Sequence, residues 1–432
     1  MRILVVADEY PWPPRTGYRQ RLHWVLRTLA SHHAVDLLAV VLDERNAAEP
    51  PPADIPLSQI AVVAAGARPG PRIGRLGRWL IGRHPRSLLW RDWQAPRAQL
   101  QRWSDRRYDA VWFSHAPAYL ALADQVTAPH IVDLDNLDSS VLRHRRHNTH
   151  PPGQGTLRRQ LAARLGQVAD AVDERRWRRL ERQATARATV VVCSDLDRTR
   201  LGGTNVWVVP NGYERAQVPA PTERDPTPAA TPVLIMVGLL TYEPNRDAAN
   251  FFASTILPHI RRSHPDARFH MVGRYDSESA VNPWRNLPGV QVLGEVADVG
   301  AELAAADIAV VPIRFGGGTR IKILEAFAHR IPVVSTAVGC EGLDVVDGEH
   351  LLVADDPASF ASACIRLYED ADLRTNLVAA AAELWSSRYR WTMLSPAIVS
   401  AVQAAVGEDH PEPDHPASQA DHDDPRPGWA NQ

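Results

Sequence analysis

The residues with the most chemical content stand in one run, Val310-Val-Pro-Ile-Arg-Phe-Gly-Gly-Gly-Thr-Arg-Ile-Lys-Ile-Leu-Glu325. Three consecutive glycines, Gly316, Gly317 and Gly318, let backbone N–H groups approach an anion closely. A helix expected to begin near Thr319 adds the partial positive charge of its N-terminus, and together they make a seat for a phosphate or diphosphate. Arg320 and Lys322 put two cations in the first helical turn, where they oppose the helix dipole unless something anionic is bound. Lys322 is the single lysine among 48 basic residues, and an ammonium differs from a guanidinium where a compact point charge must fit. Glu325, three residues on and on the same helix face, is placed to accept hydrogen bonds from ligand hydroxyls. An ordinary Lys322–Glu325 ion pair beside a glycine turn is the plainer alternative, and it leaves the cations at the unfavourable helix end unexplained.

The surrounding elements must position this run. In the first half, β-branched apolar stretches recur at Ile3–Ala7, Val35–Leu42, Ile60–Ala64, Ala110–Phe113, His130–Asp133 and Thr189–Cys193, with helical spacing between them, as in Tyr18–Ala30. After residue 232 the alternation restarts, with strands expected at Val233–Gly238, Arg268–Val272, Val290–Leu293, Ile308–Pro312 and Pro332–Ser335 and helices at Arg246–Ser263 and Thr319–His329. Short buried strands alternating with helices predict parallel α/β sheets. The expected fold is therefore α/β with two Rossmann-like doubly wound domains facing across a cleft, ligands lying beyond the carboxyl ends of the strands. Residues 1–218 form the expected first domain, the Pro- and Thr-rich stretch 219–232 the linker, 233–387 the second domain and 388–406 a closing helix. The tail 407–432 holds seven acids, five prolines and three histidines without apolar periodicity, and is expected to be disordered.

Composition narrows the function. A net charge of −2 and a pI near 6.8 give no bulk-charge argument for nucleic acid. Cys193, Cys340 and Cys364 are far apart and odd in number, so neither a disulfide framework nor a CxxC metal site is expected. The opening residues read as a strand rather than a signal peptide, and no apolar run approaches the ~20 residues of a membrane span. A cytoplasmic enzyme is the expectation.

Several spaced matches carry a resemblance: Tyr242-Glu-Pro-Asn, Val272-Gly, Gly294-Glu-Val, Ala306-Asp-Ile-Ala-Val-Val-Pro, Lys322-Ile-Leu-Glu-Ala, Pro332-Val-Val-Ser-Thr and Asp347-Gly-Glu-His-Leu-Leu. This pattern resembles the donor domain of GT-B glycosyltransferases of the large retaining family 4, or group 1. The resemblance implies sugar transfer from a nucleotide diphosphate donor to a hydroxyl, with retention and without a metal or other cofactor. It implies that Glu325 holds ribose hydroxyls and that a carboxylate stands eight positions earlier, where this chain has Gly317. The Arg and Lys that many members carry after the domain's first strand are absent at Leu239 and Pro244–Asn245. Arg320 and Lys322, with Arg314, are the natural replacements, and Lys322 would stabilise the leaving diphosphate.

In the first half, Pro11-Trp-Pro-Pro-Arg-Thr-Gly17-Tyr18 resembles the family's first glycine-rich loop, which closes over donor and acceptor, and His115 resembles the histidine facing the reacting sugar. His115, Arg320 and Lys322 are thus the catalytic candidates. Gly17, Arg314, Gly316, Gly317, Gly318, Thr319 and Glu325 are the donor-binding candidates. The acid-x-acid pairs Asp133–Asp135 and Asp195–Asp197 are read as chance matches to a metal motif. Residues 68–107 hold eleven arginines and two aspartates interleaved with Trp79, Trp90, Trp93 and Trp103, a composition suited to a bilayer interface. A glycan or lipid-linked acceptor, peripheral membrane contact and a role in envelope polysaccharide or glycolipid synthesis follow as expectations. Two other readings stay open: a nucleotide-sugar epimerase on the same fold, and a non-catalytic GT-B partner protein.

Overall fold

The structure, a computed structural model, describes residues 1–42, 49–67, 72–148, 157–215, 231–318 and 320–407. Thr319, most of the expected linker and the tail beyond Gly407 lie outside the described residues. In the first half, β1 (Arg2–Ala7), β2 (Ala34–Val41), β3 (Leu57–Ala64), β4 (Ala110–Ser114), β5 (His130–Leu134), β6 (Thr189–Val192) and β7 (Val206–Val208) form one sheet in the order β3-β2-β1-β4-β5-β6-β7. In the second, β8 (Val233–Val237), β9 (Arg268–Val272), β10 (Val290–Gly294), β11 (Ile308–Val311), β12 (Val333–Ser335) and β13 (Leu352–Val353) take the order β10-β9-β8-β11-β12-β13. Every strand pairing is parallel.

Parallel strands covered on both faces must be apolar on both. In β1, Ile3 and Val5 enter one core while Leu4 and Val6 enter the core on the other side. Both sheets reverse strand order in the middle, between β1 and β4 and between β8 and β11. Such switch points leave crevices at the carboxyl ends of the strands, where ligands of α/β sheets bind.

The helical stretch expected over 246–263 begins earlier. It runs as Glu243–Phe251, a π-helical turn at Phe252–Ile256, and Leu257–Ser263. The helix Trp391–Val406 crosses back to the first half, where Trp391, Leu394 and Ile398 share a core with Val25 and Leu29. The arginine-rich stretch 143–187, whose balancing acids make it read in the sequence as an exposed polar helix, falls on two helices, Asp138–Asn148 and Leu157–Thr185. A third arginine-rich helix, Arg72–Ile81, is additional to the expected elements. In the Arg- and Trp-rich stretch, Trp79 and Trp103 are buried and Trp90 is exposed. Arg86 binds Asp173, Arg97 binds Asp124 and Arg106 binds Asp36. Part of that stretch therefore serves the fold, because Arg86, Arg97 and Arg106 have carboxylate partners.

One buried pair ties the first half together. Arg21, on the helix Gly17–His32, is 1% exposed and reaches Asp133 of β5 at 2.7 Å. Its Nη1 also donates to the carbonyl of Val209 and to Asn211 Oδ1. Asp133 is thus a structural anchor, and Asp197 likewise accepts from the Ser194 hydroxyl. Asp133→Ala leaves the guanidinium buried without its partner, so the expected loss of stability is about 3–5 kcal/mol, read by denaturant unfolding.

The two halves meet at their strand-end loops. Arg200 binds Glu341 at 2.5 Å, Arg145 binds Glu243 at 2.5 Å, and Arg15 binds Glu295 at 2.9 Å. His144 Nδ1 lies 3.0 Å from the Gly316 carbonyl. A Cβ at Gly317 would come 2.6 Å from Val141 Cγ2 and 3.1 Å from Asn136 Oδ1. Glycine is required there because the first domain fills the space a side chain would take. Gly317→Glu, which restores the carboxylate of the resembled pattern, should force the halves apart. Small-angle scattering would show a larger radius of gyration; an unchanged radius would mean Val141 and Asn136 give way.

Candidate functional site

The glycine run leaves β11 and leads into a helix that begins at Ile321, later than expected, with Arg320 as its N-cap and no side-chain cap. Gly316 and Gly318 adopt φ of 139° and 72°, conformations that favour glycine. A Cβ on Gly318 would approach Asn136 Oδ1 to 2.4 Å, so this loop packs against the first domain as well as forming the helix entry. Gly17 closes the same region from the other side, a Cβ there meeting Ile321 Cδ1 at 3.1 Å.

Arg320 is 9% exposed. Its Nη1 donates to the Gly317 carbonyl, while its Nε is buried without a hydrogen-bond partner. No carboxylate lies within ion-pair distance of it among the described residues. Burial pulls its pKa below the usual guanidinium range, yet a guanidinium still keeps its proton. A buried cation of this kind is costly unless an anion joins it.

Lys322 is half-buried rather than exposed, and its partner is not Glu325. Its Nζ donates to Asn245 Oδ1 at 2.7 Å, and Asn245 Nδ2 donates to the Leu239 carbonyl at 2.9 Å. A Cβ on Gly238, directly after β8, would come within 2.9 Å of the ammonium, so glycine there makes room for it. Burial first, and then the charge of Arg320, pull Lys322 down to about 7, with Glu325 acting against them. Glu325 is pushed up to about 7 by burial, against a hydrogen bond from Tyr213 and the charge of Lys322. The Tyr213 hydroxyl stands between Glu325 and His329 Nε2, 3.2 Å from the latter. Arg314 forms a two-point pair with Asp247 at 2.6 and 2.9 Å and lies over the Phe251 ring. Its charge is therefore matched by Asp247 within the domain. Thr319 lies outside the described residues.

Across from these cations, the crevice between β1 and β4 is acidic. His115 follows β4 with φ 120°, a region sparsely used by residues with a side chain, and such strain concentrates at functional sites. Its Nε2 is 2.5 Å from Asp135 Oδ1, its Nδ1 is 3.8 Å from Asp8 Oδ2, and its ring stacks on Tyr18 at 4.2 Å. Burial opposes its charge, but Asp135, Asp8 and Asp138 outweigh that and raise it to about 9. His115 is thus an imidazolium at neutral pH. Asp8 is pushed up to about 6 by burial, against His115 and Arg91, and its Oδ1 is buried without a partner.

The structure therefore brings Arg320, Lys322 and Glu325 together with the glycine loop, and sets His115 on the facing crevice. It adds Asn245, Tyr213, Asp8, Asp135 and Asn136. Asp8 and Asp135 stand directly after strands, a position that marks them in the sequence. Asn245 lies in the stretch matched to the resembled family's clamping cations, whereas Tyr213 has no such signal, since only folding brings it to Glu325. Among the described residues no three His, Cys, Asp or Glu side chains cluster as a metal site would require.

Residues 231–370 match the family model described as Glycosyl transferases group 1. The phosphatidyl-myo-inositol mannosyltransferase of Mycolicibacterium smegmatis is 28% identical over 210 residues, covering 48% of this chain and 53% of that protein. The enzyme of the same name from Mycobacterium leprae is 28% identical over 202 residues, covering 46% and 53%. The chain thus spans about half the length of these curated relatives. Among solved structures, sucrose-phosphate synthase from Thermosynechococcus elongatus aligns with a TM-score of 0.64 at 16% identity, over 94% of this chain and 99% of that one. HepE of Anabaena, in complex with UDP and glucose, aligns with a TM-score of 0.59 at 14% identity, over 94% and 100%. At those identities the likeness is one of fold. The cationic loop and helix lie inside the matched residues: residues 231–370 are similar to the group 1 glycosyltransferases, and the chain as a whole has the GT-B fold of these neighbours.

Proposed function

We propose that the protein transfers a sugar from a nucleotide diphosphate donor to a hydroxyl of a glycan or lipid-linked acceptor, in envelope polysaccharide or glycolipid synthesis. The observation that carries this reading is Arg320, a buried guanidinium with no carboxylate partner, beside Lys322 at the start of the helix Ile321–Ala328. A diphosphate supplies the missing charge, and helix N–H groups add to its binding. UDP in the HepE complex and the phosphatidylinositol acceptor named for the mannosyltransferases support the donor and acceptor classes.

Breaking the anomeric C–O bond builds negative charge on the leaving diphosphate. Prepositioned Arg320 and Lys322 stabilise that charge more than the ground state. Glu325, held by Tyr213, accepts from the ribose hydroxyls, and His115 orients hydroxyls of the reacting sugars from the facing crevice. A covalent intermediate needs a carboxylate nucleophile, and position 317 is a glycine with no space for one. Our reading takes retention without a metal from the family resemblance and assigns it to front-face displacement, the acceptor proton passing to the leaving phosphate.

Incubating the protein with a nucleotide-sugar panel, with and without lipid extract, separates the possibilities. Transfer or donor hydrolysis supports a transferase, isomerisation an epimerase, and absence of binding a non-catalytic partner. Lys322→Ala is expected to lower turnover by about 2.7–4 kcal/mol in the transition state while the protein melts as wild type. Glu325→Ala should mainly weaken nucleoside diphosphate binding, read by calorimetry. Lys322 at about 7 is mostly neutral at pH 8, and a bound diphosphate raises its pKa. Binding at pH 8 should then take up protons, seen as a heat that depends on the buffer's ionisation enthalpy, and Lys322→Ala should remove that uptake.

A further inference from the structure

The helices Arg72–Ile81 and Leu157–Thr185 lie against each other, joined by Trp79 Nε1 donating to Asp173 at 2.7 Å and by Arg176 donating to the Trp79 carbonyl at 2.8 Å. Their outer faces are apolar. On the longer helix Leu161, Leu165 and Val168 are 59%, 62% and 62% exposed, at the i, i+4, i+7 spacing of one stripe. On the shorter one Leu76, Leu80 and Ile81 are 53%, 63% and 90% exposed. Aliphatic exposure gathered in this way marks an interaction surface.

The charges around it are of one sign. Arg78, Arg83 and Arg164 are exposed, and neither residues 72–91 nor 157–169 contain an acid. The acids further along the longer helix point inward: Asp173 is buried on Trp79 and Arg86, and Glu174 is buried on Arg146 and Arg178. Aliphatic side chains flanked by unopposed cations match the interface of an anionic bilayer, whose hydrocarbon takes the former and whose headgroups take the latter. A second copy of the chain fits poorly, since a two-fold contact would set the same arginines against each other. The chain's own acidic tail has one large apolar residue, Trp429, with which to cover the ridge.

We propose that this ridge docks the protein reversibly on an anionic membrane surface. The proposal deepens the functional reading. The ridge-bearing helix pairs with Asp138–Asn148, whose Val141 and His144 touch the glycine loop. A lipid-linked acceptor would thus meet the cleft beside the bilayer that holds it. No helix among the described residues is long and apolar enough to cross a membrane, so the contact is at the surface.

The test is flotation of the full chain with phosphatidylcholine vesicles, with and without one part in three of phosphatidylglycerol. Wild type should float with the anionic vesicles and release as salt rises, because screening sets in within about 10 Å at 0.1 M. Leu161→Ser, Leu165→Ser and Val168→Ser combined should lower partitioning at least about tenfold with unchanged melting. Arg78→Gln, Arg83→Gln and Arg164→Gln combined should flatten the salt dependence. The proposal is overturned if wild type floats with neither vesicle, or if the serine variant floats as well as wild type. It is also overturned if light scattering shows a dimer that only the serine variant abolishes, without flotation. Flotation needs neither donor nor acceptor, so its failure is separate from failure of the transferase reading, which the nucleotide-sugar panel decides.

Discussion

A guanidinium held out of water, with no carboxylate at ion-pair distance among the described residues, is the constraint around which the second domain's loop is arranged. Arg320 is nine-tenths buried, braced by the Gly317 carbonyl, with its Nε unpaired. Its charge cannot be relieved by losing a proton. Lys322 beside it responds in the one way open to it, its pKa falling to about 7. Glu325 moves the opposite way under burial. The three groups therefore share an environment poised for an anion, and the cost of keeping it is met by packing elsewhere in the domain.

The facing crevice has the complementary character. Asp8, Asp135 and Asp138 surround His115 and keep it charged despite its burial. Tyr18 stacks on the imidazole and donates its hydroxyl to the Ser114 carbonyl, while the Asp8 backbone N–H donates to the same hydroxyl. One aromatic residue thus links the loop after β1 to the end of β4. The cleft sets cations on one wall against carboxylates on the other, and a donor with an anionic end and a hydroxyl-rich end fits that polarity.

The two walls are held together by glycine-tight packing and a few ion pairs. Arg200 binds both Glu341 and, more distantly, Asp197, and His144 lies 3.7 Å from the same Glu341. Such pairs between partly exposed groups are individually weak. Close contact at Gly317 and Gly318 therefore sets the register of the two halves, and the ion pairs orient it.

Much of the fold was legible in the sequence, because parallel strands buried on both faces must be written as continuous β-branched runs and the glycine loop must precede its helix. The cations at 320 and 322 stood out for the same local reason, their conflict with the helix dipole. What each side chain does was decided by tertiary contacts between residues far apart in the chain. Lys322 pairs with Asn245 rather than Glu325, Glu325 with Tyr213, and Arg314 with Asp247. The tryptophans that suggested an interface are partly buried in the core, while the exposed aliphatic ridge lies partly on a helix read from sequence only as polar surface. Periodicity reports which face of an element is apolar. Only the folded chain shows whether another element covers that face, and which distant group answers a buried charge.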